Sequence, residues 1–170
     1  MGVGTLARLT SCAAALAAVG LATPASAGTV ATANANAQVL EEIQFAVLLD
    51  MDFGKIAVRN PVDGGVVTID PNSTSRTCDA TLVCAGTWGG SRLELSGSDA
   101  NVQVNFDPTF QLTGPGDPIV AEPLFPGGPG TVVHLTGGYV VVNFGARIHI
   151  NPGQAPGNYS GDFSVYLEYN

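Results

Sequence analysis

The sequence contains very little positive charge. Its 170 residues include one lysine, Lys55, and five arginines, against 14 acidic residues. The formal net charge is −8, and the few basic residues are scattered along the chain. Proteins that bind nucleic acid or anionic membranes concentrate Lys and Arg on one surface. The composition therefore argues against both kinds of partner.

Helical periodicity is also missing from the sequence. No stretch of ten or more residues repeats apolar positions at helical spacing between capping residues. The chain instead contains 22 Gly and 11 Pro, which separate short segments rich in Val and Thr. Short strands between Gly/Pro turns predict an antiparallel all-β protein, and we expect an immunoglobulin-like β-sandwich.

Motifs for catalysis or metal binding are equally scarce. The sequence has no Gly-x-Ser-x-Gly elbow, phosphate-binding loop or dinucleotide fingerprint. Its two histidines, His134 and His149, lack the spacing of a zinc motif and fit ordinary strand positions. Asp50 and Asp52 could face one cation, but calcium needs six or more oxygen ligands, and a pair at a strand end is the simpler interpretation. We predict no enzyme activity, no cofactor and no metal.

The chain begins with the pattern of an export signal. Arg8 precedes an apolar run over residues 9–22, and Ala25-Ser26-Ala27 is a small-x-small cleavage site. We therefore predict a cleaved signal peptide over residues 1–27. The apolar run is too short to span a bilayer, so we expect no membrane insertion after cleavage. The mature chain would keep five basic and 14 acidic residues, a net charge of −9, in the periplasm, at the cell surface or outside the cell.

Two cysteines, Cys78 and Cys84, remain in the predicted mature chain. Two thiols six residues apart in an exported protein predict a disulfide that pins a hairpin or tight loop. A metal site is the alternative, but no histidine lies nearby in the sequence. Trp88 follows in a glycine-rich loop. It could stack on a sugar ring, although we expect it to cover one end of the core.

Residues 28–40 form an arm that has no charged side chain and is rich in Ala, Thr and Asn. Small apolar residues alternate with polar ones, as in a strand. Ala and Asn are poor strand formers, so a disordered arm is the competing interpretation and, for this segment alone, the favoured one. The apolar positions of this candidate donor strand are Ala31, Ala33, Ala35, Ala37 and Val39.

Residues 41–170 are expected to form the β-sandwich domain. Residues 43–49 are a continuous apolar run, which predicts a strand buried on both faces. The final segment, 157–170, alternates with period two and predicts a half-buried strand that runs to the last residue. Other strands are predicted at residues 66–70, 92–96, 101–106, 110–113, 119–125, 131–136 and 139–150.

Several of these segments resemble domain-of-unknown-function family 4402, a family of exported bacterial proteins. The resemblance extends over about residues 30–170 and includes the Ala/Thr/Asn-rich arm. The cysteine loop and the polar strand at 92–96 depart from the family pattern. The segments that carry the resemblance are residues 49–56, 65–69, 102–106 and 153–161, with the closing Val165-x-x-x-Tyr169.

That family has no assigned reaction, and its layout is similar to chaperone–usher pilins and the spore-coat-U group of pilus subunits. Those chains end in an alternating strand with a penultimate aromatic residue and a Gly fourteen residues from the end. The resemblance implies a secreted structural or adhesive subunit that assembles by β-strand donation. It also implies self-association and a periplasmic chaperone and usher as partners. The candidate assembly edge consists of Gly157, Tyr159, Phe163, Val165, Leu167 and Tyr169.

A monomeric binding module is the alternative. In that case the arm completes its own sandwich, the final strand pairs within its own chain, and loops near Trp88 or at residues 114–130 bind a surface carbohydrate. The oligomeric state separates the two interpretations.

Overall fold

The computed structural model describes residues 31–73 and 75–170, and these residues form an all-β protein. The predicted signal peptide and residues 28–30 lie outside the described residues. Every strand belongs to the compact unit of residues 38–170, and residues 31–37 form no strand. Within the described ranges, no helix is long and apolar enough to cross a membrane.

Twelve strands occur in the described part of the chain, and all of their pairings are antiparallel. The predicted antiparallel all-β class is confirmed. In chain order the strands are β1 (Gln44–Leu49), β2 (Lys55–Val58), β3 (Gly65–Ile69), β4 (Arg76–Cys78), β5 (Leu82–Ala85), β6 (Ser91–Ser96), β7 (Asn101–Phe106), β8 (Phe110–Leu112), β9 (Ile119–Leu124), β10 (Thr131–His134), β11 (Tyr139–Ile150) and β12 (Val165–Tyr169).

These strands form one large sheet and two small ones. The large sheet has the order β1-β6-β11-β3-β4, with β9 also beside β11 and β8 beside β9. Its long strand β11 pairs with β6 through Phe144, with β9 from Gly145 and with β3 from Ala146 onward. The small sheets are β10-β7-β12 and β2-β5. The strand β11 therefore joins two halves of the large sheet.

The core follows the predicted alternation along β11. Its inward side chains, among them Phe144 and Ile148, are buried, whereas the outward Arg147 is exposed. The Phe144 ring centroid lies 4.7 Å from that of Phe125 and 5.5 Å from those of Phe106 and Phe163. These four rings pack together at the middle of the domain, where offset and tilted aromatic contacts are favourable.

Strand β1 forms where the sequence predicts a strand, but the predicted burial on both faces is wrong. The whole strand is exposed, with Phe45 at 61% and Val47 at 54%. These residues pair opposite Leu95 and Leu93, which are buried, so Phe45 and Val47 lie on the core-facing side of the sheet. A continuous apolar run does not distinguish a strand covered on both sides from an edge strand that is uncovered.

The final strand is shorter than predicted. Ser160 exchanges two backbone hydrogen bonds, of 2.8 and 3.0 Å, with Thr113 next to β8 of the large sheet. Val165 instead pairs with Phe106 of β7. The chain crosses from one sheet to the other over residues 161–164, and this crossing interrupts the strand. The predicted alternation of half-buried and exposed side chains still holds from Tyr159 to Tyr169, apart from the exposed Gly161.

The predicted disulfide between Cys78 and Cys84 is present, with an S–S distance of 1.97 Å. Of the two predicted forms, a hairpin or a tight loop, the structure has the tight loop, in which three residues separate β4 from β5. Strand β4 pairs with β3 and strand β5 pairs with β2, so the disulfide connects the large sheet to the two-stranded sheet. The reason is that the three residues between β4 and β5 redirect the chain rather than fold it back on itself.

Candidate functional site

A groove with a volume of about 1040 Å³, lined by both apolar and polar residues, opens against core residues of the large sheet. Its size is at the upper end of what ligand-binding clefts in proteins reach. We call it the open groove, and it is bordered by β1, by β2 with the preceding residues 50–54, and by the segment 153–163. Its apolar lining includes Phe45, Val47, Phe53, Ile56, Val58, Leu93, Phe110, Ile119, Ile148, Tyr159 and Phe163.

Strand β1 contributes core-facing apolar side chains and a free edge to this groove. Within the described residues its pairing partner is β6 alone. Gly97 donates a backbone hydrogen bond to Gly138 at 3.0 Å. Every second residue of a strand directs its N–H and C=O groups to the same side, so Leu95 and Leu93 direct theirs toward β11. The opposite residues Phe45 and Val47 therefore direct their N–H and C=O groups to the free edge of β1.

Strand β2 forms the second border and also has a free edge in the described structure, since it pairs with β5 alone. Arg59 donates a backbone hydrogen bond to Thr81 at 2.9 Å, which continues the β2–β5 ladder. Ala57 and Lys55 lie two and four residues before Arg59, so their N–H and C=O groups also point toward β5. The half-buried Ile56 and Val58 line the open groove and present their N–H and C=O groups on the other side.

Arg76 fixes one end of the β2–β5 pair, where the segment before β2 lies beside the last residue of β5. Its Nη1 donates hydrogen bonds to the carbonyl oxygens of Phe53 at 2.8 Å and Ala85 at 3.3 Å. Its guanidinium lies 5.6 Å from the ring centroid of Trp88, a cation–π contact. Trp88 therefore supports the arginine that holds one border of the groove. Gly54 permits this approach because a Cβ there would lie 2.5 Å from Arg76 Nη1, and its φ is +75°.

The third border contains half of the predicted assembly edge. The Tyr159 hydroxyl accepts hydrogen bonds from Gly116 N at 3.0 Å and Gln154 Nε2 at 2.8 Å, and it donates to Ala155 O at 2.8 Å. Gly157 packs closely against Pro115, and a Cβ added at this position would lie 2.5 Å from Pro115 Cγ. Together with Phe163, these two edge residues line the open groove.

The other half of the predicted edge, Val165, Leu167 and Tyr169, lies on β12 beyond the groove lining. Asn170 donates a backbone hydrogen bond to Asn101 at 3.0 Å, so Glu168 and Tyr166 also direct their main-chain groups toward β7. The main-chain groups of the three edge residues point the other way, where the described part of the chain places no strand. The predicted edge residues are thus placed along one continuous segment, part at the groove and part on an edge strand.

The hydroxyl of Tyr169 joins β12 to the start of the domain. It accepts a hydrogen bond from Ser98 N and donates one to Glu41 O, both at 2.8 Å. Glu41 N in turn donates to Ser98 Oγ at 2.8 Å. These three bonds fix where the chain enters the domain before β1.

The candidate donor residues Ala31, Ala33, Ala35 and Ala37 lie in the described residues that form no strand. The fifth donor residue, Val39, lies in the unit of residues 38–170 and is 95% exposed. Nothing in the chain tests whether they form a strand with another molecule, so this assignment stays a prediction.

The remaining candidate residues do not assemble into a chemical centre in the described structure. His134 lies 3.1 Å from Asp99 and His149 lies 3.4 Å from Glu122, in exposed pairs on the outer faces of sheets. Asp50 and Asp52 both line the open groove, but Asp52 accepts a hydrogen bond from Gly54 N. Within residues 31–73 and 75–170, no group of three or more His, Cys, Asp or Glu side chains could hold a metal ion.

Sequence reasoning missed β2, the short strands β4 and β5, and the uncovered side of β1. The available signal for β2 was weak, because Ile56 and Val58 alternate with Lys55, Ala57 and Arg59 over only four strand residues. The uncovered side of β1 leaves no trace in composition. It depends on where the small sheets end, which is a property of the folded chain.

Comparison with known proteins identifies a family and nothing further. The family model for "Domain of unknown function (DUF4402)" matches residues 43–169. The match includes all twelve described strands and begins just before β1. No curated protein and no solved structure matches the chain.

Proposed function

This chain belongs to the DUF4402 family, and we propose that it is an exported, non-catalytic structural subunit that assembles by β-strand donation. The observation that carries the proposal is the open groove, bordered by strands whose edges have no partner in the described structure. The fold in this proposal is an immunoglobulin-like, pilin-like sandwich that a strand from outside completes. Export through the predicted signal peptide is part of the same proposal.

The exposed apolar surface supports an occupant of the groove. Phe45 and Val47 face the core side of the large sheet, yet more than half of each side chain is exposed. Single exposed apolar residues are normal on protein surfaces, whereas a contiguous apolar surface marks an interaction site. Here both residues adjoin the buried Leu93 and the half-buried Phe163 in one groove, so the surface is contiguous with the core.

The free edges support a strand as that occupant. Edge strands present unpaired N–H and C=O groups that readily pair with another chain. Covering the groove with anything other than a strand would remove the main-chain groups of β2 from water without giving them partners, which is unfavourable. An added strand satisfies these groups and places alternate side chains in the groove.

The arm is the proposed donor. Residues 29–39 contain no charged side chain and alternate small apolar with polar residues, so they can enter the open groove without burying a charge of their own. Alanine buries little apolar area, so main-chain hydrogen bonds would contribute most of the affinity. Donation from one copy to the next is heterologous, and it produces an open filament. A periplasmic chaperone that supplies a temporary strand fits the same edge.

Deletion of residues 28–39 tests the proposal on the natively exported protein. We expect the full mature chain to give a heat-labile ladder of multimers and the deleted chain to stay folded without forming that ladder. A deleted chain that collapses or becomes insoluble, from a parent that is strictly monomeric, would show that the arm completes its own sandwich. That result would favour the monomeric surface or carbohydrate-binding module.

A further inference from the structure

We propose that the donated strand pairs along both of its sides, with residues 159–169 on one side and with β2 on the other. This inference rests on the proposed function and assigns to β2 an interaction role. The donated strand would join the two small sheets into one layer of six strands, in the order β10-β7-β12-donor-β2-β5. That layer would cover the large sheet from one side to the other.

The position of β2 supports its role as a pairing edge. Ile56 and Val58 point their side chains into the open groove and their main-chain groups away from β5. Each residue therefore offers one N–H and one C=O on the side where an added strand would lie. Because an occupant of the groove would take these four groups out of water, the favourable occupant is one that hydrogen-bonds to them.

The opposite border has matching geometry. On β12 the residues with core-facing side chains, such as Val165 and Leu167, are the residues whose main-chain groups point to the free edge. The same relation holds for Ile56 and Val58 on β2. A single strand lying between the two borders can pair with both, since its N–H and C=O groups alternate between its two sides while its side chains alternate between groove and solvent.

Strand β2 is held in place before any partner arrives. The disulfide connects β5 to β4 of the large sheet, and Arg76 bonds the carbonyl groups of Phe53 and Ala85 at the end of the β2–β5 pair where Lys55 lies opposite Ala85. A preformed edge loses little conformational freedom when it binds, which favours association. The two-stranded sheet is therefore suited to accept a strand without rearrangement.

The donor is residues 29–39 of a second copy. Eleven residues in extended conformation span about 36 Å, whereas the four residues of β2 span about 13 Å. The arm is thus long enough to run past β2 and continue along β12. It also has no charged side chain that would have to enter the groove.

Amide hydrogen exchange tests the inference on multimers of the full mature chain. Multimers and monomers are labelled, quenched and compared residue by residue. We expect the amides of Ile56, Val58 and Leu167 to exchange at least about tenfold more slowly in multimers than in monomers. The amide of Ala57, which already bonds to β5, and that of Val132, on the free edge of β10, serve as controls and should exchange equally in both states.

The outcomes separate this inference from the proposed function. Slower exchange at Leu167 with unchanged exchange at Ile56 and Val58 would overturn pairing with β2 and leave strand donation to β12 standing. No change at any of the three amides would overturn both. Slower exchange at the two control amides as well would indicate a general stabilisation rather than pairing at β2, and it would also overturn the inference.

Discussion

Replacement of Phe45 by Ala should weaken assembly without weakening the fold of the monomer. Phe45 is 61% exposed and faces the open groove. An aromatic side chain buries about 150–250 Å², so roughly 120 Å² of Phe45 remains to be covered by a partner. At about 25 cal/mol per Å² this area corresponds to about 3 kcal/mol, of which the Ala variant would lose about 2 kcal/mol. That loss raises the dissociation constant about 30-fold.

The assay compares the monomer–multimer equilibrium and the free energy of unfolding of the same proteins. Sedimentation over a range of concentrations gives the equilibrium, and denaturant titration of the monomer gives the unfolding free energy. Leu48→Ala is the matched control, because Leu48 lies on the same strand, is 49% exposed and is outside the groove lining. We expect Phe45→Ala to shift the equilibrium and Leu48→Ala to leave it unchanged.

Three results would refute this reasoning. An unchanged multimer distribution for Phe45→Ala would mean that no partner covers the core-facing side of β1. A loss of monomer stability of about 3 kcal/mol or more, the range for buried Phe→Ala changes, would mean that Phe45 belongs to the core of the isolated chain. Equal weakening by both substitutions would place the contact on β1 but outside the groove.

The remaining predictions concern the fold. Phe144→Ala should lower the free energy of unfolding by about 3–5 kcal/mol in a denaturant titration, because its fully buried ring contacts three others. Reduction of the Cys78–Cys84 disulfide should cost about 2 kcal/mol, measured as a lower denaturant midpoint with reductant present. Tyr169→Phe removes two hydrogen bonds of the hydroxyl and should cost about 1–2 kcal/mol by thermal unfolding. A hydrogen bond from the backbone N–H of Asn72 holds the pKa of Asp70 below its ordinary value. The ionised carboxylate therefore stabilises the fold above the unfolded-state pKa, and this stabilisation is lost as pH falls through the lowered pKa. The destabilisation by Asp70→Asn should accordingly shrink when the free energy of unfolding is measured at acid pH.

The alternating segments were predictable because their pattern reports burial directly. β11 was predicted with the bounds that the structure has, and its apolar face is the buried one. β6 and β7 were also predicted at their observed positions. In each case a strand in the middle of a sheet is covered on one side by the core, so period two in the sequence and burial in the fold have the same cause.

Edges and crossings were not predictable in the same way. The sequence of residues 157–170 continues its alternation through the crossing at 161–164, since inward and outward sides are retained while the pairing partner changes from β8 to β7. Period two records which side faces the core, and it contains no information about which strand lies alongside. The free edges of β1 and β2 are therefore visible only in the folded structure, whereas the edge of the final strand was predicted from the resemblance to pilins.

The composition of β1 supports its use as an interface. Proteins commonly protect an exposed edge with a charge or a proline within the strand. β1 contains neither in its six residues. Acidic residues instead flank it, Glu41 and Glu42 before the strand and Asp50 and Asp52 after it, at the positions where gatekeeper charges limit aggregation of an unavoidable apolar segment. This arrangement discourages unspecific association through charge at both ends, while the apolar side chains of Phe45 and Val47 stay exposed to an occupant of the open groove.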